Sequence, residues 1–246
     1  MAEALATARV AAYARAVGCA VYFVHLSCRQ ALDAAREARA AGGEVYVETR
    51  PAYLYLDRSR YELPDHEGNN FVCWPPLRDP DDQAALWQGL RTGEIQTYAT
   101  DHTTWMASQK MDPSLSFADV PGGVSNVQTS IGMLYVEGVK KGRISVNQFV
   151  GVCATNPAKL FGLWPAKGTL APGSDADIVL IDPQRRFRVE SAAMESRSDF
   201  DPYDGYEAIG WPATVIAGGE VIVDSGQVLS HPGRGRLLRR SRYQPL

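Results

Sequence analysis

The chain has 246 residues, of which 45% are hydrophobic and 22% charged, as in an ordinary soluble globular protein. Its net charge of -3 gives no electrostatic reason to expect nucleic acid or an anionic membrane surface as a partner. No apolar run approaches the roughly 20 residues of a membrane helix, and the N-terminus lacks the pattern of a signal peptide.

The cysteines predict a reducing environment. No two have the close spacing of a zinc ribbon or a redox motif, and four do not make a disulfide framework in a chain of this length. A cytoplasmic location is therefore predicted. Cys19 and Cys153 lie in apolar runs, which predicts that both are small buried hydrophobic residues.

The first hundred residues alternate predicted helices and strands. Helices are expected over 2–17, over 30–41 and from Asp82 to Gly93, with strands over 20–24, 44–47 and 95–100. The strand over 20–24 is a continuous apolar run, which is typical of a strand buried on both faces. Residues 58–80 are predicted to form a long loop. This alternation indicates parallel strands joined by crossover helices.

The rest of the chain has a different pattern. A loop over 103–124 precedes predicted helices over about 125–140 and 145–155, and Ser145 with Gln148 forms a capping box for the second. Strands are then expected over 176–181, 187–189, 214–217 and 221–223. Gly218-Gly219 joins the last two as a two-residue hairpin. The tail from Arg234 to Arg242 carries five arginines and is predicted to be a solvated terminus.

His25 and Asp101 both follow predicted parallel strands. Because the carboxyl ends of parallel strands lie at one edge, both residues are expected on the same rim. An imidazole and a carboxylate there are suitable ligands for zinc or a similar divalent ion, and an Asp can also carry a proton. As isolated residues, a buried core histidine and an Asp accepting backbone N–H groups are the simpler interpretations.

Six short segments in a fixed order favour the metal-site interpretation. They are VHLS at 24–27, ETRPAYL at 48–54, PPLR at 75–78, TDH at 100–102, NPAKLFGL at 156–163 and KGTLAPGSDAD at 167–177. Together they closely resemble the C-terminal half of the cyclic amidohydrolases, in particular the dihydropyrimidinases and D-hydantoinases. The resemblance spans essentially the whole chain.

This resemblance implies an α/β fold. Residues 1–165 would form the last strands and helices of a (β/α)8 metal-dependent hydrolase barrel, and residues 166–246 the C-terminal part of a small β-sandwich. Family members open a cyclic amide or imide at a binuclear metal centre, with zinc as the expected metal. His25 and Asp101 would then be metal ligands, and Asp101 also the general acid and base.

The substrate ring is held in this family by backbone groups at two places. They fall here on Cys73-Trp74 and on Gly122. A small serine is usual at the position of Trp74, and an asparagine at that of Gly122. The indole of Trp74 is therefore expected to occupy or reshape the pocket.

Several ligands that the family uses have no counterpart in the sequence. The chain contains no His-x-His pair, and its five lysines all follow the last predicted barrel strand. A catalytic zinc takes three protein ligands and keeps an open position, and the resemblance supplies two. Self-sufficient hydrolysis is therefore not expected.

The sequence leaves three functions open. The chain is a segment of a cyclic-amide hydrolase by lineage, a catalytically inactive structural or interaction relative, or one half of an enzyme completed by a separate N-terminal chain. The expected partners are a small cyclic amide and a second chain, either a copy of itself or the complementary half.

Overall fold

The computed structural model describes all residues from 1 to 246. The chain divides into two compact units. The first unit comprises Met1–Ser130 with Val189–Tyr206, and the second comprises Ile131–Arg188 with Glu207–Leu246. The domain boundary between residues 165 and 166 stays a prediction.

The first unit is built from helices around a small parallel sheet. Its helices are α1 (Ala2–Ala16), α2 (Arg29–Ala40), α3 (Pro51–Tyr55), α4 (Pro80–Thr92) and α5 (Ala107–Lys110), and α6 (Val127–Leu134) begins in it. Its strands are β1 (Val21–Phe23), β2 (Val45–Thr49) and β3 (Thr97–Tyr98), paired in the order β1-β2-β3 with both pairs parallel. The predicted alternation of helices and parallel strands is therefore confirmed.

The core of this unit lies between β2 and the helices α2 and α4. Every residue of β2 is buried, as are Leu32 of α2 and Leu86 of α4. Gly89 lets α4 approach closely, because a Cβ there would lie 2.9 Å from Leu32 and 3.0 Å from Ile95.

The strands on either side of β2 are shorter than predicted. β1 is an edge strand with partly exposed residues, and Val24 is exposed, so the expectation of burial on both faces is wrong. β3 covers two residues, although pairing with β2 continues through the N–H of Ala99, which donates to the Thr49 carbonyl. Cys19 is exposed, contrary to the prediction from its apolar neighbours.

The second unit combines interrupted helices with an antiparallel sheet. After α6 come a π-helical stretch (Tyr135–Lys140), α7 (Val146–Val150), a second π-helical stretch (Gly151–Thr155) and α8 (Asn156–Leu160). The sheet contains β4 (Ile178–Arg188), β5 (Glu207–Ala217), β6 (Glu220–Asp224) and β7 (Gln227–Val228), in that order. Two predicted strands, 176–181 and 187–189, are one continuous strand, whose pairing with β5 shifts register between Asp182 and Arg186.

Two predicted local features of the second unit are confirmed. The Ser145 hydroxyl accepts the N–H of Gln148, and the Gln148 side chain accepts the N–H of Ser145, which caps α7. Gly218 and Gly219 form the turn between β5 and β6.

The chain is thus an α/β protein with one parallel and one antiparallel sheet, and neither sheet closes into a barrel. None of its helices combines the length and apolar composition that crossing a bilayer requires.

Candidate functional site at the strand ends

The carboxyl ends of the parallel strands bring the predicted residues to one edge of the sheet. His25 follows β1, Arg50 follows β2 and Asp101 follows β3. Because β2 lies between the other two strands, β1 and β3 are about 10 Å apart across it. His25 and Asp101 therefore share an edge of the sheet but do not leave neighbouring strands.

Both predicted metal ligands have an unusual backbone conformation. The φ angle is +40° at His25 and +45° at Asp101, in the left-handed region that side chains other than glycine rarely adopt. Such conformations cost free energy and concentrate at functional sites and tight turns. At both positions the chain leaves the sheet sharply.

A buried hydrogen-bond network links the three strands just below this edge. The Tyr22 hydroxyl donates to Glu48 Oε2 at 2.6 Å and lies 2.7 Å from Thr97 Oγ1. Glu48 Oε1 accepts the backbone N–H of His25 at 3.1 Å. Burial, helped by the Glu48 carboxylate, raises the pKa of Tyr22 far above its usual value, so the phenol keeps its proton. The network holds His25 in place.

The imidazole of His25 has a nitrogen without a partner. Its Nδ1 is buried and makes no hydrogen bond. A buried unpaired nitrogen is uncommon in folded proteins, because it loses hydration without compensation. Nδ1 thus has no partner in the protein, and a ligand would have to displace neighbouring atoms to reach it.

Asp101 is paired with Arg50, a residue that the sequence does not single out. Its Oδ2 accepts from Nη1 of Arg50, whose side chain is completely buried, whereas the Asp101 side chain is 41% exposed. The Arg50 guanidinium also lies 4.5 Å from the centre of the Tyr53 ring. Arg50 lies between the buried strand β2 and Pro51, a position that by itself does not predict its partner.

His102, next to Asp101, has a structural role. Its Nδ1 accepts the backbone N–H groups of Asn126, at 2.9 Å, and Val127, at 3.2 Å. These groups stand at the start of α6, where helix N–H groups lack partners within the helix. Burial lowers the pKa of His102, which favours the neutral imidazole that this bonding requires.

The two predicted substrate loops are brought together. The N–H of Gly123 donates to the Val72 carbonyl at 3.0 Å. Lys110 Nζ donates to the carbonyls of Val72, at 2.9 Å, and of Gly123, at 2.7 Å. Lys110 is buried, and this burial lowers its pKa to about 8. The Lys110 ammonium thus ties the two loops together.

Trp74 and Gly122 face each other across these loops. A Cβ at Gly122 would overlap the indole atoms Cδ1 and Nε1 of Trp74. The indole therefore fills the space that a side chain at residue 122 would need. Trp74 is half exposed and packs edge-on against Phe117, with ring centres 6.2 Å apart. The Gly122 carbonyl accepts from Trp105 Nε1 at 3.0 Å.

Cys73 lies beneath this surface. Its side chain is buried, and burial raises the pKa of the thiol. Its Sγ lies 3.3 Å from the Pro75 carbonyl. A buried, protonated thiol is a poor nucleophile, so any contact of this residue with a substrate would use its backbone.

The residues present do not fit a complete metal centre. No group of three or more His, Cys, Asp or Glu side chains is placed to hold a metal ion. A catalytic zinc requires three protein ligands, and the Asp101 carboxylate is already paired with Arg50. The two predicted ligands, His25 and Asp101, would supply only part of such a centre.

Comparison with known proteins gives one consistent result. Residues 2–222 match the profile described as the amidohydrolase family. The D-hydantoinase of Rhizobium radiobacter is 42% identical over 243 residues, which are 98% of this chain and 53% of that protein. The chain spans about half the length of the curated relatives it matches, and the matched half is their C-terminal region.

Solved structures agree with this result. The structure of D-hydantoinase from Bacillus sp. AR9 matches with a TM-score of 0.94 at 38% identity, over 98% of this chain and 53% of that one. The dihydropyrimidinase from Brevibacillus agri NCHU1002 matches with a TM-score of 0.94 at 39% identity, over 98% and 52%.

Proposed function

The chain belongs to the amidohydrolase family, and we propose that it supplies the C-terminal half of a hydrolase that opens cyclic amides such as dihydropyrimidines or hydantoins. The observation that carries this proposal is the match to D-hydantoinase structures along 98% of the chain at a TM-score of 0.94. The parallel sheet would be the last part of a (β/α)8 barrel, and the antiparallel sheet part of a small β-sandwich.

The proposed substrate site lies between the two loops that Lys110 ties together. The backbone at Cys73-Trp74 and at Gly122 would hold the ring, with the half-exposed indole of Trp74 covering it. Asp101 would take a proton from the attacking water and pass it to the leaving ring nitrogen. Its partly exposed carboxylate is consistent with this role, because Oδ2 is held by Arg50 while Oδ1 is free.

A complementary N-terminal half is part of the proposal. The parallel sheet is open at β1, where one side of the strand has no neighbouring strand. Exposed apolar side chains precede this strand in sequence, among them Tyr13 of α1 and Val17 just after α1. Such an edge can accept another strand. We propose that the complementary N-terminal half of a D-hydantoinase-like protein covers it and brings further metal ligands to the side of His25 and Asp101.

Complementation tests this function. The purified chain is assayed for ring opening of hydantoin and dihydrouracil, alone and mixed with the part of a D-hydantoinase that it does not match, with zinc supplied. We expect no turnover alone and measurable turnover on mixing. Asp101→Asn should abolish the turnover, whereas Asp112→Asn, a change of an exposed loop acid, should preserve it.

The second candidate is a catalytically inactive structural relative that forms homo-oligomers. It is favoured by the Arg50–Asp101 pair and by the partial ligand set. If the mixed halves form a complex that is folded but has no turnover, and the chain alone forms a defined oligomer in sedimentation, this second function replaces the first.

A further inference from the structure

Arg50 is held in a buried position that leaves its charge few partners. It is among the largest fully buried side chains of the protein, and it directly follows β2, whose residues are all buried. One face of the guanidinium lies over the ring of Tyr53, whose hydroxyl donates to the Pro75 carbonyl at 2.6 Å. The guanidinium therefore has little room to move away from the sheet edge.

Asp101 is the carboxylate that balances this charge. Arg50 Nη1 pairs with Asp101 Oδ2, while Nε and Nη2 are buried without a hydrogen-bond partner. Burying a guanidinium is unfavourable unless an anion accompanies it, so the folded protein depends on Asp101 remaining available to Arg50.

A divalent cation at Asp101 would oppose this arrangement. It would draw on the same carboxylate and place a second positive charge close to a guanidinium that is screened little by water. Unlike a metal ion, the guanidinium is covalently attached and cannot dissociate.

We propose that Arg50 is the resident counter-cation of Asp101 in this chain, so that a divalent metal binds at His25 and Asp101 only in competition with it. Arg50 therefore opposes the divalent metal that the family resemblance leads us to expect at Asp101. This inference rests on the placement of Asp101 in the proposed site but requires no hydrolysis.

Cobalt(II), whose visible absorption reports coordination by protein ligands, is the probe. It is titrated into the wild-type chain and into Arg50→Met, which keeps the length of the side chain and removes its charge. We expect the variant to bind cobalt about tenfold more tightly or better, because the repelling charge beside the Asp101 carboxylate has been removed. Arg78→Gln, which removes another partly buried arginine, paired with Glu3, should behave as the wild type.

The gain in affinity must depend on the two predicted ligands. Adding His25→Asn or Asp101→Asn to the Arg50→Met variant should return cobalt binding to the wild-type level. Equal cobalt affinity of folded Arg50→Met and the wild type would overturn the proposal, and so would a gain that survives both ligand substitutions.

A stability measurement covers the case in which Arg50→Met does not fold. Asp101→Asn alone should lower the urea midpoint, because it leaves Arg50 buried without an anion, whereas Asp112→Asn should not. An unchanged midpoint for Asp101→Asn would refute the ion pair. If mixing the two halves gives no turnover but Arg50→Met still binds cobalt more tightly, the proposed hydrolase function is refuted and this inference is not.

Discussion

Asp201 is a buried acid whose charge the fold opposes. It lies in the segment that joins β4 to β5, and its Oδ1 accepts the N–H of Tyr203 at 2.9 Å. Burial raises its pKa to about 6, above the ordinary value of 3.8. Between these two pH values the folded state binds more protons than the unfolded state, so stability falls as pH rises through this interval.

Asp201→Asn should therefore stabilise the protein at pH 7.5. The amide oxygen can still accept the Tyr203 N–H, and the buried charge is gone. A shift of about two pKa units corresponds to at most about 3 kcal/mol in the free energy of unfolding. Urea unfolding at pH 7.5 and pH 4 measures it, and the gain should vanish at pH 4. A variant that is no more stable than the wild type at pH 7.5 contradicts this account.

The pH dependence of stability that we expect from Lys110 has the opposite sign. Its pKa is lowered to about 8 by burial, so between pH 8 and 10.5 the unfolded state binds more protons than the folded one. This titration should contribute a rise of up to about 3 kcal/mol to the free energy of unfolding through this window, set against falls from buried groups such as the Cys73 thiol, which the wild type and the variants share. Lys110→Met should lack this rise, while Lys141→Met, a change of an exposed lysine, should retain it. A Lys110→Met variant with the wild-type slope would exclude Lys110 as its source.

The residues of the site divide into those that the sequence identifies and those that only the fold does. His25 and Asp101 could be singled out because each ends a predicted strand. Arg50 could not, because its burial and its pairing with Asp101 depend on the packing of β2 against β3 and on Tyr53. The close approach of Trp74 to Gly122 likewise could not be predicted, because the two residues are 48 positions apart in the chain.

Gly132 determines how closely α6 packs in the second unit. A Cβ there would lie 2.5 Å from ring atoms of Trp211, which stacks on Phe187 with ring centres 4.3 Å apart. The indole is buried on β5 and has little room to withdraw.

Gly132→Ala should therefore destabilise the protein by about 1–3 kcal/mol, although alanine is the better helix former. Gly151→Ala is the matched control, because it is also helical and a Cβ there meets nothing closer than 3.8 Å. It should be neutral or stabilising by about 0.5–1 kcal/mol. Thermal unfolding of the two variants measures the difference, and equal effects would mean that the contact with Trp211 adapts freely.

Elements that depend on residues close together in sequence were predicted correctly, whereas the lengths of the strands often were not. The capping box of α7 and the Gly218-Gly219 turn depend on neighbours in sequence and are confirmed. The apolar run at 20–24 predicted burial, but β1 lies at the edge of its sheet and stays partly exposed. Which strand is central is decided by pairing across the chain, and periodicity carries no information about it.

Protection of backbone amides from hydrogen exchange should be uneven across the parallel sheet. β2 is buried along its length and paired on both sides, whereas β1 is paired on one side only. Amides exchange with solvent through local opening, whose free energy is lowest where few neighbours hold the backbone. Hydrogen exchange should therefore be slow over Val45–Thr49 and fast over Val21–Phe23.

The complementary half of a D-hydantoinase should change this pattern at one place. If it adds a strand beside β1, the amides of Val21–Phe23 and of α1 should become protected on mixing, while β7, at the edge of the antiparallel sheet, keeps its exchange rate. Hydrogen exchange followed by mass spectrometry, with and without the second chain, resolves these segments. Protection confined to β7, or none at β1, would mean that the partner does not complete the parallel sheet.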